Sequence, residues 1–326
     1  MRRGAVVKSM GSVRMSDSLS DPTRLRTLAC GRAVAGLLWS LPMIRSPIAA
    51  LLLLVAATAC RAETPRERGA YLVETIGACG NCHSPVDQNG NRNGPALSGG
   101  GAVFAPAFTA YPPNITPDPD TGIGGWSEDQ IVTALRDGRT PEGKILRPPM
   151  PVPFYRSLSD RDAHAIAAYL KSLPPTVNRV PASTYSIPTP TSYGPPVADV
   201  PEVSRTETIA YGAYLANLGH CMLCHTPAGA DGKRDYAHRL GAGGFPVETA
   251  TVNRLSANIT PDPKTGIGAW SDAEITAALT HGIAADGSAL SAIMPWPYLD
   301  HMEPEDLRAL VAWLRSLPPI ENAVVQ

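Results

Sequence analysis

At 326 residues and 44% hydrophobic content the chain has room for about two domains on the usual ~150-residue prior, each with a real core. Only 17% of residues are charged while 33 are proline and 29 glycine, which argues against an enzyme built on a large sheet and for short elements joined by long irregular loops. The 28 basic and 29 acidic residues nearly balance, but residues 1–60 hold 8 of the basic and only 2 of the acidic ones. The remainder carries a net −7, which argues against a nucleic-acid partner and fits a basic docking face on a partner protein.

Ile48 to Ala59 is a 12-residue apolar run, shorter than the ~20 residues of a membrane-spanning helix and suited to the core of an export signal. Starting from Met43 gives a complete short signal with Arg45 in its charged region, so translation is expected to begin near Met43 rather than at Met1. Cys60 follows Ala57-Thr58-Ala59, which suits signal cleavage and also resembles a lipoprotein box. Lipid anchoring through Cys60, simple release and a retained hydrophobic anchor stay open; all three place the mature chain outside the cytoplasm, in the periplasm or at its membrane.

Thr64 is a plausible N-cap with Pro65 at the first helical position, and the helix is expected to run to about Ala78. It delivers Cys79-Gly80-Asn81-Cys82-His83, a C-x-x-C-H motif that reads as a covalent c-type haem attachment site. Two thiols add to the porphyrin vinyl groups, and the histidine ligates the iron. The motif returns as Cys221-Met222-Leu223-Cys224-His225, so four of the six cysteines are spent on it, and zinc or thiol redox is the weaker reading.

The chain repeats around these motifs at an offset near 143. Gly69-Ala70-Tyr71-Leu72 returns as Gly212-Ala213-Tyr214-Leu215, Asn114 to Pro119 as Asn258 to Pro263, and Ser172 to Pro175 as Ser316 to Pro319. Two homologous domains are expected at 64–176 and 205–320, with 177–204 a proline-rich linker, extended and stiff, that sets their separation. Thr206 can cap the second copy's first helix. Ser127 with Gln130 and Ser271 with Glu274 form capping boxes for a second helix in each copy, ended by Gly138 and Gly282. A third helix is expected from about Asp160 to Ser172 and from about Pro304 to Ser316, with Ile166, Tyr169 and Leu170, or Leu310, Trp313 and Leu314, facing inward. No stretch alternates with period two, so the expected class is all-α.

His83 and His225 are the expected proximal iron ligands. Met150 is the one methionine between residues 44 and 221, and it sits in the rigid loop Arg147-Pro148-Pro149-Met150-Pro151; Met294 occupies the matching Met-Pro loop, whereas Met222 lies inside the attachment turn and Met302 is out of register. Paired methionines in matching loops favour ligation over core filling. His164, His220, His238, His281 and His301 have no counterparts in the other copy. Pro95, in the turn Gly94-Pro95-Ala96-Leu97, is expected to offer its carbonyl to the second ring nitrogen of His83, with His238 at that place in the second copy. Trp126 and Trp270 either line the haem or hydrogen-bond a propionate, or are buried aromatics ahead of a helix.

CGNCH, CMLCH, the GPALSGG turn at 94–100, the two NITPDPxTGIGxWS stretches and the two Met-Pro loops together resemble the dihaem class I cytochromes c over residues 64–320. The NITPDP blocks are similar to those of cytochrome subunits of bacterial membrane-bound dehydrogenases for alcohols and sugar acids. The resemblance implies two tandem class I cytochrome c domains, two covalently attached haem c groups, a dehydrogenase as electron donor, and quinone, an oxidase or another cytochrome as acceptor. The expected role is electron transfer rather than catalysis, with His/Met ligation filling both axial positions. A haem enzyme, such as a dihaem peroxidase or sulfur-compound oxidase, is the alternative.

Overall fold

The computed structural model describes residues 62–325 except 88–91, 106, 231, 249–252 and 292. The expectations for the leader, the start at Met43 and the fate of Cys60 lie outside the described residues. Residues from Thr64 onward form one compact unit.

The first repeat begins with α1 (Pro65–Glu74), whose capping box is closed by Thr64 and Glu67. It ends four residues before the expected Ala78, because the chain turns sharply into α2 (Cys79–His83) through Ala78 at φ 43°. Then come α3 (Glu128–Asp137), α4 (Val152–Tyr155) and α5 (Asp160–Lys171). Both halves of the Ser127–Gln130 capping box are made, and Gly138 ends α3 at φ 63°, where a β-carbon would strain the backbone. The second repeat follows the same plan with α6 (Thr208–Leu218), α7 (Cys221–His225), α8 (Asp272–His281), α9 (Trp296–Leu299) and α10 (Pro304–Ser316). The N-cap of α6 is Glu207 rather than Thr206, whose hydroxyl hydrogen-bonds Ser204 instead.

In each repeat the first helix crosses the last at very short range. A β-carbon on Gly69 would lie 1.9 Å from the Ala165 carbonyl oxygen, and one on Gly212 2.0 Å from that of Ala309, so only glycine admits this crossing. Around it Leu72, Ile76, Ile166 and Leu170 are buried in the first repeat, and Leu215, Leu218, Leu310 and Leu314 in the second, in one continuous core.

The fold is helical with some sheet, so the all-α expectation holds only in part. Short antiparallel strands are present: β1 (Val103–Ala105), β2 (Phe108–Ala110) and β3 (Thr184–Tyr185) form one sheet, and β4 (Pro246–Glu248) with β5 (Asn253–Leu255) another. Segments of two or three residues are too short to show alternation in a sequence.

The proline-rich segment 177–204 does not act as a spacer. β3 pairs with β2, Tyr193 Oη donates to the Leu146 carbonyl (2.9 Å), and Asp160 N–H donates to the Val200 carbonyl (2.9 Å), strapping the segment along the first repeat. The repeats pack directly on each other through exchanged contacts. Tyr71 Oη donates to Asp306 (2.9 Å) and accepts from Glu303 N–H (3.1 Å); Tyr214 Oη donates to Asp162 (2.7 Å) and accepts from Ser159 N–H (3.4 Å). The equivalent tyrosines Tyr71 and Tyr214 thus each reach the last helix of the other repeat.

Candidate functional site

The two C-x-x-C-H motifs are single five-residue helical turns, α2 and α7. Helical spacing brings the first cysteine, the second cysteine and the histidine to neighbouring positions on one turn. The residues entering the turns, Ala78 and His220, both take left-handed backbone (φ 43° and 42°), which costs about 1–2 kcal/mol each for a residue with a β-carbon. The same strain at both places marks a required change of chain direction.

Burial pushes the thiols of Cys79 and Cys221 up to about 12 and that of Cys82 to about 11, and it raises Cys224 as well. Redox-active and metal-binding cysteines carry lowered values. Among the described residues no three His, Cys, Asp or Glu side chains converge as a metal cage.

His83 Nδ1–H donates to the Pro113 carbonyl (2.8 Å), and His225 Nδ1–H to the Ala257 carbonyl (2.8 Å). Burial lowers the pKa of both rings, so they are neutral, and with Nδ1 holding the proton Nε2 presents a lone pair for iron. The expected acceptor Pro95 is therefore corrected to Pro113. The Pro95 carbonyl is occupied by Ser98, through its hydroxyl (2.8 Å), and Pro95 itself is exposed. His238, at the matching place, is exposed and pairs with Asp235.

The NITPDP stretches hold these acceptor carbonyls. Asn114 Nδ2 donates to the Thr176 carbonyl (2.7 Å) and Thr121 Oγ1 (3.0 Å), while its Oδ1 accepts from Thr116 N–H and hydroxyl (2.9 and 2.7 Å). Asn258 repeats the set with Ile320, Thr265 and Thr260. Asp118 and Asp262 close the following turns on Thr121 and Thr265. Two asparagines beyond the expected repeat ends, Asn178 and Asn322, tie down the same loops, each donating a backbone N–H to that threonine hydroxyl (3.0 and 2.9 Å). Their identical offset from the NITPDP blocks was the available signal.

Met150 and Met294 occupy equivalent loops. Each methionine N–H donates to the carbonyl three residues earlier (3.2 and 3.1 Å), and each methionine carbonyl accepts from the residue two later (2.9 and 2.8 Å). Both side chains are half-buried against the core. Met222 and Met302 are buried core residues. His164, His238, His281 and His301 are exposed. Trp126 and Trp270 are half-buried and pack on the core. Their main-chain carbonyls are held by Lys171 Nζ (2.8 Å) and by Arg315, two cations of the last helices that the sequence reading passed over.

A family model described as cytochrome c matches residues 67–174 and again residues 209–318. The chain belongs to the cytochrome c family. Each cytochrome c segment contains one attachment turn, its neutral histidine and one Met-Pro loop, a donor set that fits the family's cofactor. This cytochrome c accordingly carries two covalently attached haem c groups. It is 32% identical over 278 residues to the gluconate 2-dehydrogenase cytochrome c subunit of Pantoea cypripedii, covering 77% of this chain and 59% of the relative. It is 30% identical over 304 residues to the alcohol dehydrogenase (quinone) cytochrome c subunit of Komagataeibacter europaeus, covering 83% and 61%. A diheme cytochrome c-type protein of Cereibacter sphaeroides is 31% identical over 258 residues, covering 75% and 83%. The chain thus spans about three-fifths of the length of the two dehydrogenase-subunit relatives.

Proposed function

We propose that this cytochrome c is a dihaem electron carrier, taking electrons from a dehydrogenase outside the cytoplasm and passing them to a respiratory acceptor such as quinone, an oxidase or another cytochrome. The observation that carries the reading is the duplication of a complete donor set: a neutral, hydrogen-bonded histidine in the attachment turn and a methionine in a pinned loop, in both repeats. Cys79 and Cys82, and Cys221 and Cys224, hold the two groups by thioether bonds. His83 with Met150, and His225 with Met294, would ligate the two irons, and Trp126 and Trp270, half-buried against the core, would lie beside the two groups. Bound haem supplies a one-electron couple at its iron.

The chain's own residues serve that couple by holding it still. The Pro113 and Ala257 carbonyls keep each imidazole in one tautomer and orientation, and the proline-flanked methionine loops limit movement on the opposite side. Methionine ligation by Met150 and Met294 would raise the reduction potential, and with a histidine and a methionine both engaged at each iron neither would be open to peroxide or a sulfur substrate. The names of the relatives support a dehydrogenase as donor. The net charge of −7 after residue 60 supports a partner with a basic docking face. Among the described residues no helix is long and apolar enough to cross a membrane.

The test is the absorption spectrum of protein matured with a c-type haem assembly system. Two haems per chain and a methionine–iron charge-transfer band in the oxidised form are expected, with rapid reoxidation by a quinone-pool or cytochrome acceptor. Turnover of peroxide by the purified protein alone would replace this reading with the enzyme one. Mass spectrometry of the mature amino terminus distinguishes lipidated from unmodified Cys60.

A further inference from the structure

Each repeat packs a short helix toward the attachment region of the other, and at one equivalent position the two helices differ by a hydroxyl, Phe154 in α4 against Tyr298 in α9. α4 follows directly on Met150-Pro151, and its Phe154 ring meets Tyr236 beyond the second motif, edge to face at 5.9 Å between centroids. α9 follows directly on Met294-Pro295 and places Tyr298 where α4 has Phe154; Arg92, beyond the first motif, lies 5.2 Å over its ring. The Tyr298 hydroxyl is buried and, among the described residues, has no hydrogen-bond partner. It stands against Gly80, inside the first attachment turn, where a β-carbon would come within 3.0 Å of Oη. A buried hydroxyl without a partner costs desolvation that phenylalanine, the residue of the first repeat, would avoid. The oxygen therefore sits against Gly80, in a spot that Ser84 Oγ and Arg92 Nη2 also approach, at an energetic cost and on a residue that belongs to the other repeat.

We propose that Tyr298 is a positioning residue for the haem of the first repeat: the second repeat completes that haem's surroundings, and the hydroxyl dipole sets its reduction potential apart from that of the second haem. The proposal rests on Cys79–His83 being an attachment site, as argued above. It supplies a physical ground for unequal potentials that the histidine hydrogen bonds do not, since both histidines make the same 2.8 Å bond to a backbone carbonyl. A buried dipole beside a cofactor that changes charge contributes to its potential through the local polarity.

The test is Tyr298→Phe in the full chain carrying both haems, titrated electrochemically while the visible bands are followed. Met150→His, which exchanges a thioether for an imidazole on the first haem and lowers its potential, assigns the two components in a parallel titration. The expected result is a shift of the first haem's midpoint with the second unchanged, two haems still bound per chain, and no loss of thermal stability. Unmoved midpoints, an equal shift of both, or a shift of the second haem alone would overturn the proposal. Failure of the underlying reading looks different: wild-type protein would then carry fewer than two haems before any substitution.

Discussion

The side chains that meet the cofactors are few, and what surrounds them decides their chemistry. A histidine whose Nδ1 were free would be able to rotate and to change tautomer; His83 and His225 are denied both by a carbonyl at 2.8 Å. Met150→Ala is expected to remove about half of the methionine–iron charge-transfer absorption without loss of haem, and Met294→Ala the other half, with the doubly substituted protein showing none. Asn114→Ala is expected to cost roughly 2–4 kcal/mol in denaturant unfolding, because one buried amide makes four hydrogen bonds there and their partners would lose them together.

Among the secondary-structure elements, the tightest constraint is the crossing of the first and last helix in each repeat. With the opposing carbonyl oxygen only 1.9–2.0 Å from a β-carbon at Gly69 or Gly212, the helices would have to move apart. Gly69→Ala and Gly212→Ala are each expected to lower stability by about 2–3 kcal/mol or more, measured by urea unfolding of the holoprotein. By contrast Ser127→Ala, which removes one half of an exposed capping box on α3, is expected to cost only about 1 kcal/mol. The capping boxes were legible because their chemistry lies within four residues. The glycines were visible as part of a repeated Gly-Ala-Tyr-Leu, but the reason for them, an opposing carbonyl some hundred residues away, was not.

For the whole molecule the controlling feature is the ionic cluster where the repeats meet, and the duplication has left it uneven. Asp162 is held bidentately by Arg68 (2.8 and 2.9 Å), and although burial alone would raise its pKa, that arginine keeps it below the ordinary carboxylate range. At the position equivalent to Arg68 the second repeat has Tyr211, and Arg205 approaches Asp306 only to 3.7 Å. Burial there outweighs the arginine, and the Asp306 pKa is raised. The signs follow. Asp162 contributes stability that is present above its unfolded value near 4 and is lost as pH falls through its folded value; Asp306 burdens the native state increasingly as pH rises through its own. Asp162→Asn is expected to cost about 3–5 kcal/mol at pH 7, since it leaves Arg68 buried without its counter-charge, whereas Asp306→Asn is expected to cost much less at pH 7 than at pH 4. Unfolding midpoints of the two variants across pH 4–8 check both statements.

By itself the sequence determined what is local or repeated: the two attachment turns, the capping boxes and the two matching Met-Pro loops, because each depends on residues adjacent in the chain or on a spacing that occurs twice. Tertiary structure decided what depends on distant segments meeting. It gave the histidines Pro113 and Ala257 rather than Pro95 as acceptors, laid the proline-rich segment along the first repeat instead of between two separate domains, and set Tyr298 of the second repeat against Gly80 of the first. The physical reason is common to all three. A backbone carbonyl is offered by every residue, and a packing face by every helix, so which one is used is settled only when the chain has closed on itself.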